Sequence, residues 1–296
     1  LSALSMDILV DNGAYNSMGN VVMTRALMML SGSYNIPNVE AMARLVYTNN
    51  PWGAAARGAG PPQVNYALES AIDQLARKMG SDPLEFRHRN SLLPGQTKST
   101  GAVVEEWPFP GLCDAIQPNY ERAVREARAA SNGRKKRGIG LAGGSFGIGG
   151  PNDQSMVAIE LDPDDGVTVY AAVADPGEGN DSMLTQLTAN ELGLPLGKVR
   201  LVTRTTELTA ANGPAAASRH TYMSGGSLLD AIGKLKSAMA DCGATSYADM
   251  QKAGAPTRHV GTRKMAVGNL DPQTGQGPSF ESQVHALQLA EVEVDI

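Results

Sequence analysis

Three glycine- or alanine-rich runs carry the side chains best placed to do chemistry. Arg57-Gly58-Ala59-Gly60 sets a permanent cation on a glycine loop. Asp175-Pro176-Gly177-Glu178-Gly179-Asn180-Asp181 is a second run, and Ala215-Ala216-Ala217-Ser218-Arg219-His220-Thr221 a third. Each directly precedes a segment that reads as a helix. The first amides of a helix lack intrahelical partners and carry a partial positive charge, so all three are places for a phosphate or another oxyanion. Ser218, Arg219, His220 and Thr221 contribute two hydroxyls, a cation and a titratable imidazole, a set suited to a polar or anionic group. Plainer readings stand beside these: Arg57 as a solvated residue of a helix's first turn, Gly177-Glu178-Gly179 as a turn, His220 as a helix-capping histidine.

Other arrangements that carry chemistry are missing. His88, His220, His259 and His285 are scattered, with no HExxH or i, i+4 pair, so no metal site is read from the residues. There is no Walker loop. Asp162, Asp164 and Asp165 lack the calcium-loop pattern and read as a hairpin turn. Cys113 and Cys242 lack CxxC spacing, which excludes a four-thiolate iron–sulfur cluster or structural zinc held by this chain alone. A net charge of −5 argues against a nucleic-acid partner. The one dense basic run, Arg134-Lys135-Lys136-Arg137, has no aromatic interleaving or periodicity and reads as a solvated linker. No apolar run approaches the ~20 residues of a membrane span, and no signal-peptide pattern opens the chain. The expectation is a cytoplasmic protein with no membrane partner.

The elements that must position these runs can be read from periodicity. The 296 residues leave room for about two domains. Residues 1–15 and 40–48 read as strands with a mixed stretch between them. Val64, Leu68, Ala71, Ile72, Leu75 and Met79 form one stripe of a helix over 62–79, entered through Pro61-Pro62. Asp82 caps a short helix to Arg89, residues 91–111 read as loop, and a helix over 118–131 closes at Asn132-Gly133. From there the texture changes to a glycine-rich run, a hairpin around Pro163-Asp164-Asp165-Gly166, a helix over 180–192 capped by Asn180, Asp181 or Ser182, and a strand over 198–204. A helix over 221–240 and a closing strand over 285–296 complete the reading. Strands and helices intermix without regular β-α-β alternation, which predicts an α+β fold of two domains, 1–132 and 133–296. The opening in mid-strand without an initiator Met predicts a segment of a longer protein.

Taken in order, the segments resemble the molybdenum-binding subunit of the xanthine oxidase family, most closely its bacterial aldehyde oxidoreductases. The motifs are DNGAY at 11–15, TRAL at 24–27, YNIPN at 34–38, RGAGPPQ at 57–63, DPLEFRHRN at 82–90, KKRGIGLA at 135–142, GEGND at 177–181, TAANGPAAASRHTY at 209–222 and QLAEVEVDI at 288–296. Together they span nearly the whole chain.

The resemblance implies a molybdopterin cofactor with molybdenum, as the cytosine dinucleotide, and a hydroxylation whose oxygen comes from water. Electrons would leave toward iron–sulfur centres on domains or a subunit outside these residues. Arg57 would be catalytic, with Gly58 and Ala59 beside the cofactor. Gly177, Glu178, Gly179 and Ala217, Ser218, Arg219, His220, Thr221 would hold the pterin and its phosphates. Glu178 departs from the family's common glutamine, and an ionised Glu cannot donate a hydrogen bond. Arg25, Ala59 and Gly150 fall at pocket positions. Purine-hydroxylating members place aromatic rings at the positions of Ala59 and Gly150, so the expected substrate is an aldehyde. A purine or N-heteroaromatic compound is the alternative, since Arg25 matches an arginine that contacts purine oxygens, although it could equally pair with a core carboxylate. The family's general-base glutamate lies in a GVGE-type loop absent from these residues, so the segment is expected to be inactive alone. A homodimer or larger complex is implied as well. From a different class, a non-catalytic nucleotide- or phosphate-binding module, or a degenerate subunit kept for assembly, also fits the glycine loops.

Overall fold

The structure is a computed structural model and describes residues 1–130, 133–271 and 273–296. Its backbone divides into two units, Leu1–Gly147 with Asn269–Ile296, and Ile148–Gly268.

In the first unit, β1 (Ala3–Asp11) pairs in parallel with β2 (Asn38–Val46), and the connection between them holds α1 (Gly19–Met28). Parallel strands need such a crossover. The mixed stretch of the sequence therefore contains a helix, hidden because Met18 offers no side-chain cap and the first turn has no acidic residue. Next comes α2 (Pro61–Lys78), whose Val64, Leu68, Ile72 and Ala76 are buried. Ala71, Leu75 and Met79, expected on the same stripe, are exposed. Asp82 caps α3 (Pro83–Arg89) as expected, accepting from Leu84 N at 2.9 Å and Glu85 N at 3.0 Å.

The following helix, α4 (Phe109–Ala130), begins upstream of the expected start and carries Pro118 inside it. A proline is preferred at a first helical position, which is why the sequence reads as if the helix began there. Burial of Phe109 and Cys113 holds the extra turns in place. Residues 109–111 thus leave the expected loop. The expected closure and domain boundary at Ser131 and Asn132 lie outside the described residues.

The basic run is no linker: Lys135 opens β3 (Lys135–Gly147), which pairs antiparallel along its length with β8 (Gln283–Asp295). Lys135 and Arg137 both reach Glu293, at 2.9 and 2.8 Å, and Arg134 reaches Asp295 at 3.1 Å. These pairs are exposed and add little stability. The glycines of β3 have a packing cause: a Cβ on Gly143 would lie 2.5 Å from the Phe109 ring.

Below β3 lies a buried polar knot. Glu69 accepts from Tyr34 Oη at 2.6 Å, Arg87 Nε at 2.9 Å and Gly143 N at 2.9 Å, while Arg87 also donates to Leu141 O and pairs with Asp73. It locks α2, α3 and β3 together among Leu68, Ile72, Phe86, Leu92 and Phe109.

The second unit is built on a four-stranded sheet of order β6-β5-β4-β7. The expected hairpin joins β4 (Gln154–Leu161) and β5 (Val167–Tyr170). After α5 (Asn180–Leu192), β6 (Val199–Val202) pairs in parallel with β5, and β7 (Arg258–Lys264) adds antiparallel to β4. A turn of π-helix, His220–Ser224, leads into α6 (Gly225–Cys242), and α7 (Tyr247–Ala253) follows. Val157, Ile159, Val169, Leu184, Leu228 and Ile232 form its core.

Candidate functional site

In the first unit, Arg57 and Gly58 form the centre of a turn closed by Ala59 N donating to Ala56 O at 2.8 Å. Gly58 has φ +101°, as the third residue of a type II turn requires. Gly60 then caps α2, also at φ +101°, with its Cα against Val22 O and Ala26 N of α1, where a Cβ would clash. So the loop bearing Arg57 is pressed onto the helix bearing Arg25. Ala59, between the two glycines, has φ +20°, a region alanine rarely adopts. The Arg57 side chain is exposed, and among the described residues no hydrogen bond or ion pair engages it.

Arg25 is differently placed. Only 8% exposed, its guanidinium lies between the Phe146 and Phe280 rings, 4.6 and 5.1 Å from their centroids, and donates to Gly147 O at 2.7 Å. Burial lowers its pKa from the ordinary arginine value.

In the second unit, Ala217 and Ser218 both have positive φ, +54° and +55°. Two consecutive non-glycine residues in that region hold strain, and such strain gathers at ligand clamps. The helical stretch starting at His220 places its first amides just beyond this turn. The four polar residues expected to act together divide between its two sides. Ser218 and Thr221 are exposed, whereas Arg219 is 3% and His220 4% exposed. Arg219 donates to both Asp153 oxygens at 2.8 Å, to Gln154 O at 2.8 Å and to Asn212 O. That commits the guanidinium to bracing the turn from within. His220 Nδ1 lies 3.0 Å from Ser224 Oγ, which accepts from Asn212 Nδ2 at 3.0 Å. Its Nε2 is buried with no partner. Burial, then the Arg219 cation, depress the imidazole pKa, so His220 is neutral at pH 7. Gly149 N donates to Ala217 O at 2.9 Å, which brings the Gly150 loop beside the turn.

The loop at 175–181 differs from the expected open helix end. Asp175 accepts from Gly177 N at 2.9 Å, Gly179 N at 3.0 Å and Asp181 N at 3.4 Å. These amide bonds, Gly179's first, lower its pKa. A carboxylate of the chain itself therefore fills the anion site, and the expected caps Asn180, Asp181 and Ser182 give way to Gly179, with φ +87°. Glu178 Oε1 accepts from Asn180 Nδ2 at 2.5 Å. Asp153, Asn212 and Ser224 were not singled out from the sequence, and Asp175 was named only as part of its glycine run, with no role of its own. Asp175-Pro-Gly carries a recognisable Asx-turn pattern; Asp153 acts through Arg219, far off in sequence, and Asn212 and Ser224 act through a fold of the 212–224 segment that no local motif announces. Among the described residues no group of three or more His, Cys, Asp or Glu could hold a metal.

Two family models match the chain, both described as a molybdopterin cofactor-binding domain, over residues 1–91 and 115–296. The chain belongs to the molybdopterin cofactor-binding domain family. An aldehyde oxidoreductase of Megalodesulfovibrio gigas is 35% identical over 100% of the chain and 33% of its own length. A putative xanthine dehydrogenase molybdenum-binding subunit of Escherichia coli is 29% identical over 80% of the chain and 32% of its length. Among solved structures, the aldehyde oxidoreductase of Desulfovibrio desulfuricans matches with TM-score 0.95 and 32% identity, covering 99% of this chain and 33% of that one. The chain spans about a third of the length of these relatives. Mixed helices and open sheets, expected as α+β, are thus those of molybdopterin-binding domains of this family.

Proposed function

We propose that this molybdopterin-binding chain works within an enzyme that oxidises aldehydes to carboxylic acids. Its strained turn carries that reading: Ala217 and Ser218 at positive φ, a helix start beyond them, and a buried His220 Nε2 with no protein partner. This donor set fits the phosphates and polar edge of a pterin nucleotide, for which we take the cytosine dinucleotide form. The bound cofactor would supply the redox centre, taking up an electron pair as oxygen from water is added to the substrate carbon.

The chain's residues have separate tasks. Ser218 and Thr221 hydroxyls and the amides at the helix start hold anionic oxygens. His220, neutral and fixed through Nδ1, directs Nε2 at a single atom. Arg219, braced by Asp153, acts as a positioning residue that keeps the turn in its strained form. Glu178 and the flanking glycines contribute backbone groups and an acceptor rather than a phosphate cradle, since Asp175 already carries that charge. Arg57, exposed and unengaged, stabilises negative charge that develops on the substrate, with Gly58 and Ala59 giving close approach.

For substrate, Ala59 and Gly150 each carry no ring at positions where purine-hydroxylating members have one, and the Arg25 guanidinium is held between Phe146 and Phe280. Both favour an aldehyde over a purine. Electrons pass to iron–sulfur partners outside these residues, in a homodimer or larger assembly. The test is to release the nucleotide by acid hydrolysis from the purified protein containing this chain, then assay aldehydes against xanthine. Cytidine monophosphate with aldehyde turnover is expected. Nucleotide binding without molybdenum would favour a non-catalytic module instead.

A further inference from the structure

Lys98 lies in the first unit, in a tight hairpin. Lys98 N donates to Ala102 O at 2.9 Å, Gly101 N donates to Lys98 O at 2.9 Å, and Thr97 bridges Val103. The tip is fastened from the other side, where Gln276 Nε2 donates to Ser99 O at 3.1 Å. This leaves the Lys98 backbone little freedom, and its half-buried side chain is directed over Trp107, with Nζ 5.4 Å from the ring centroid. Trp107 is itself buried, its indole N–H donating to Ser33 O at 3.2 Å, and His285 of β8 packs edge-on against it with centroids 4.3 Å apart.

Among the described residues no carboxylate completes the group. Among the described residues Nζ has no hydrogen bond or ion pair, and the titratable side chain facing it is His285. His285 is driven down to about 4 by burial and then by the Lys98 charge, and its Nδ1 is buried without a partner. Burial likewise pulls Lys98 down to about 8. The indole face returns part of that cost to the cation, but a ring carries no full negative charge. A lysine in such surroundings keeps a sizeable fraction of neutral, nucleophilic amine near physiological pH.

We propose that Lys98 is a reactive amine of this chain that condenses reversibly with free aldehydes. Its Nζ lone pair forms the bond to the carbonyl carbon. The carbonyl oxygen leaves as water with both amine hydrogens, giving an imine without oxidant or reductant. The choice of aldehyde as the carbonyl partner rests on the proposed function; the reactivity of the amine does not.

The test uses the protein containing this chain, treated with propanal and sodium cyanoborohydride across a pH series, with propylated lysines quantified by peptide mass spectrometry. At about pH 7.5, an amine titrating near 8 has on the order of a hundredfold more neutral form than an ordinary lysine near 10.4. Lys98 is expected to label at least about tenfold faster than the other lysines, with a midpoint near 8, and Lys98→Arg removes the fast site. Labelling no faster than the others, a midpoint near that of an ordinary lysine, or an unreactive Lys98 would each overturn the proposal. Because no turnover is measured, failure here leaves the proposed aldehyde oxidation standing, and a failed aldehyde assay leaves this one standing.

Discussion

Arg219 and His220 are adjacent in sequence, yet they do different work. Arg219 is spent on Asp153 and Asn212, so Asp153→Asn should let the turn relax: molybdopterin content falls, and unfolding by denaturant shows a loss of about 3 kcal/mol, as for a broken buried ion pair. His220→Ala should lower cofactor content while circular dichroism stays unchanged, and His220→Gln, which keeps a polar tip, should restore part of it. The histidines also set a pH dependence. Burial depresses the folded-state pKa of His220 and His285, the latter to about 4. Above about pH 6.5 both folded and unfolded chains are neutral there. As pH falls from that value toward 4 the unfolded chain takes the protons first, so stability declines. A thermal-melt series should show the decline, shallower in His285→Gln. The polar set at 218–221 was legible in the sequence, but its division into inward and outward pairs was not. That division follows from positive φ at an alanine and a serine, which residue type alone disfavours.

At the scale of elements, Gly60 decides where α2 begins and how it meets α1. Gly60→Ala should destabilise the protein by at least ~1 kcal/mol, measured by urea unfolding, because positive φ and the contact with Val22 O both exclude a methyl group. Most helices and the β4–β5 hairpin were readable, since caps and turn residues act locally: Asp82 before Pro83, and the Pro163–Gly166 turn. Misreadings occurred where tertiary packing overrode local signals. Pro118 reads as a helix start, yet burial of Phe109 and Cys113 carries α4 upstream of it. The strand β7 was missed because its buried position is Gly261, whose Cα lies against Ser227 and Ala231 of α6, so no apolar alternation announces it.

For the whole molecule, the strand pairing that closes the first unit joins β3 to β8 across the entire second unit of sequence. Such non-local pairing leaves no sequence signal beyond the family order of motifs, which did identify the chain. Deleting residues 283–296 should therefore remove amide-exchange protection from β3 while β4 and β5 keep theirs. No described helix is long and apolar enough to cross a membrane. The proposed reaction depends most directly on Arg57, the unengaged cation on the RGAG turn. Its most direct test is aldehyde turnover at equal molybdenum content by the complete enzyme carrying Arg57→Ala. A fall in kcat of about 10²–10³ is predicted, the size expected when a group that stabilises developing charge is lost; a rate equal to wild type would contradict it.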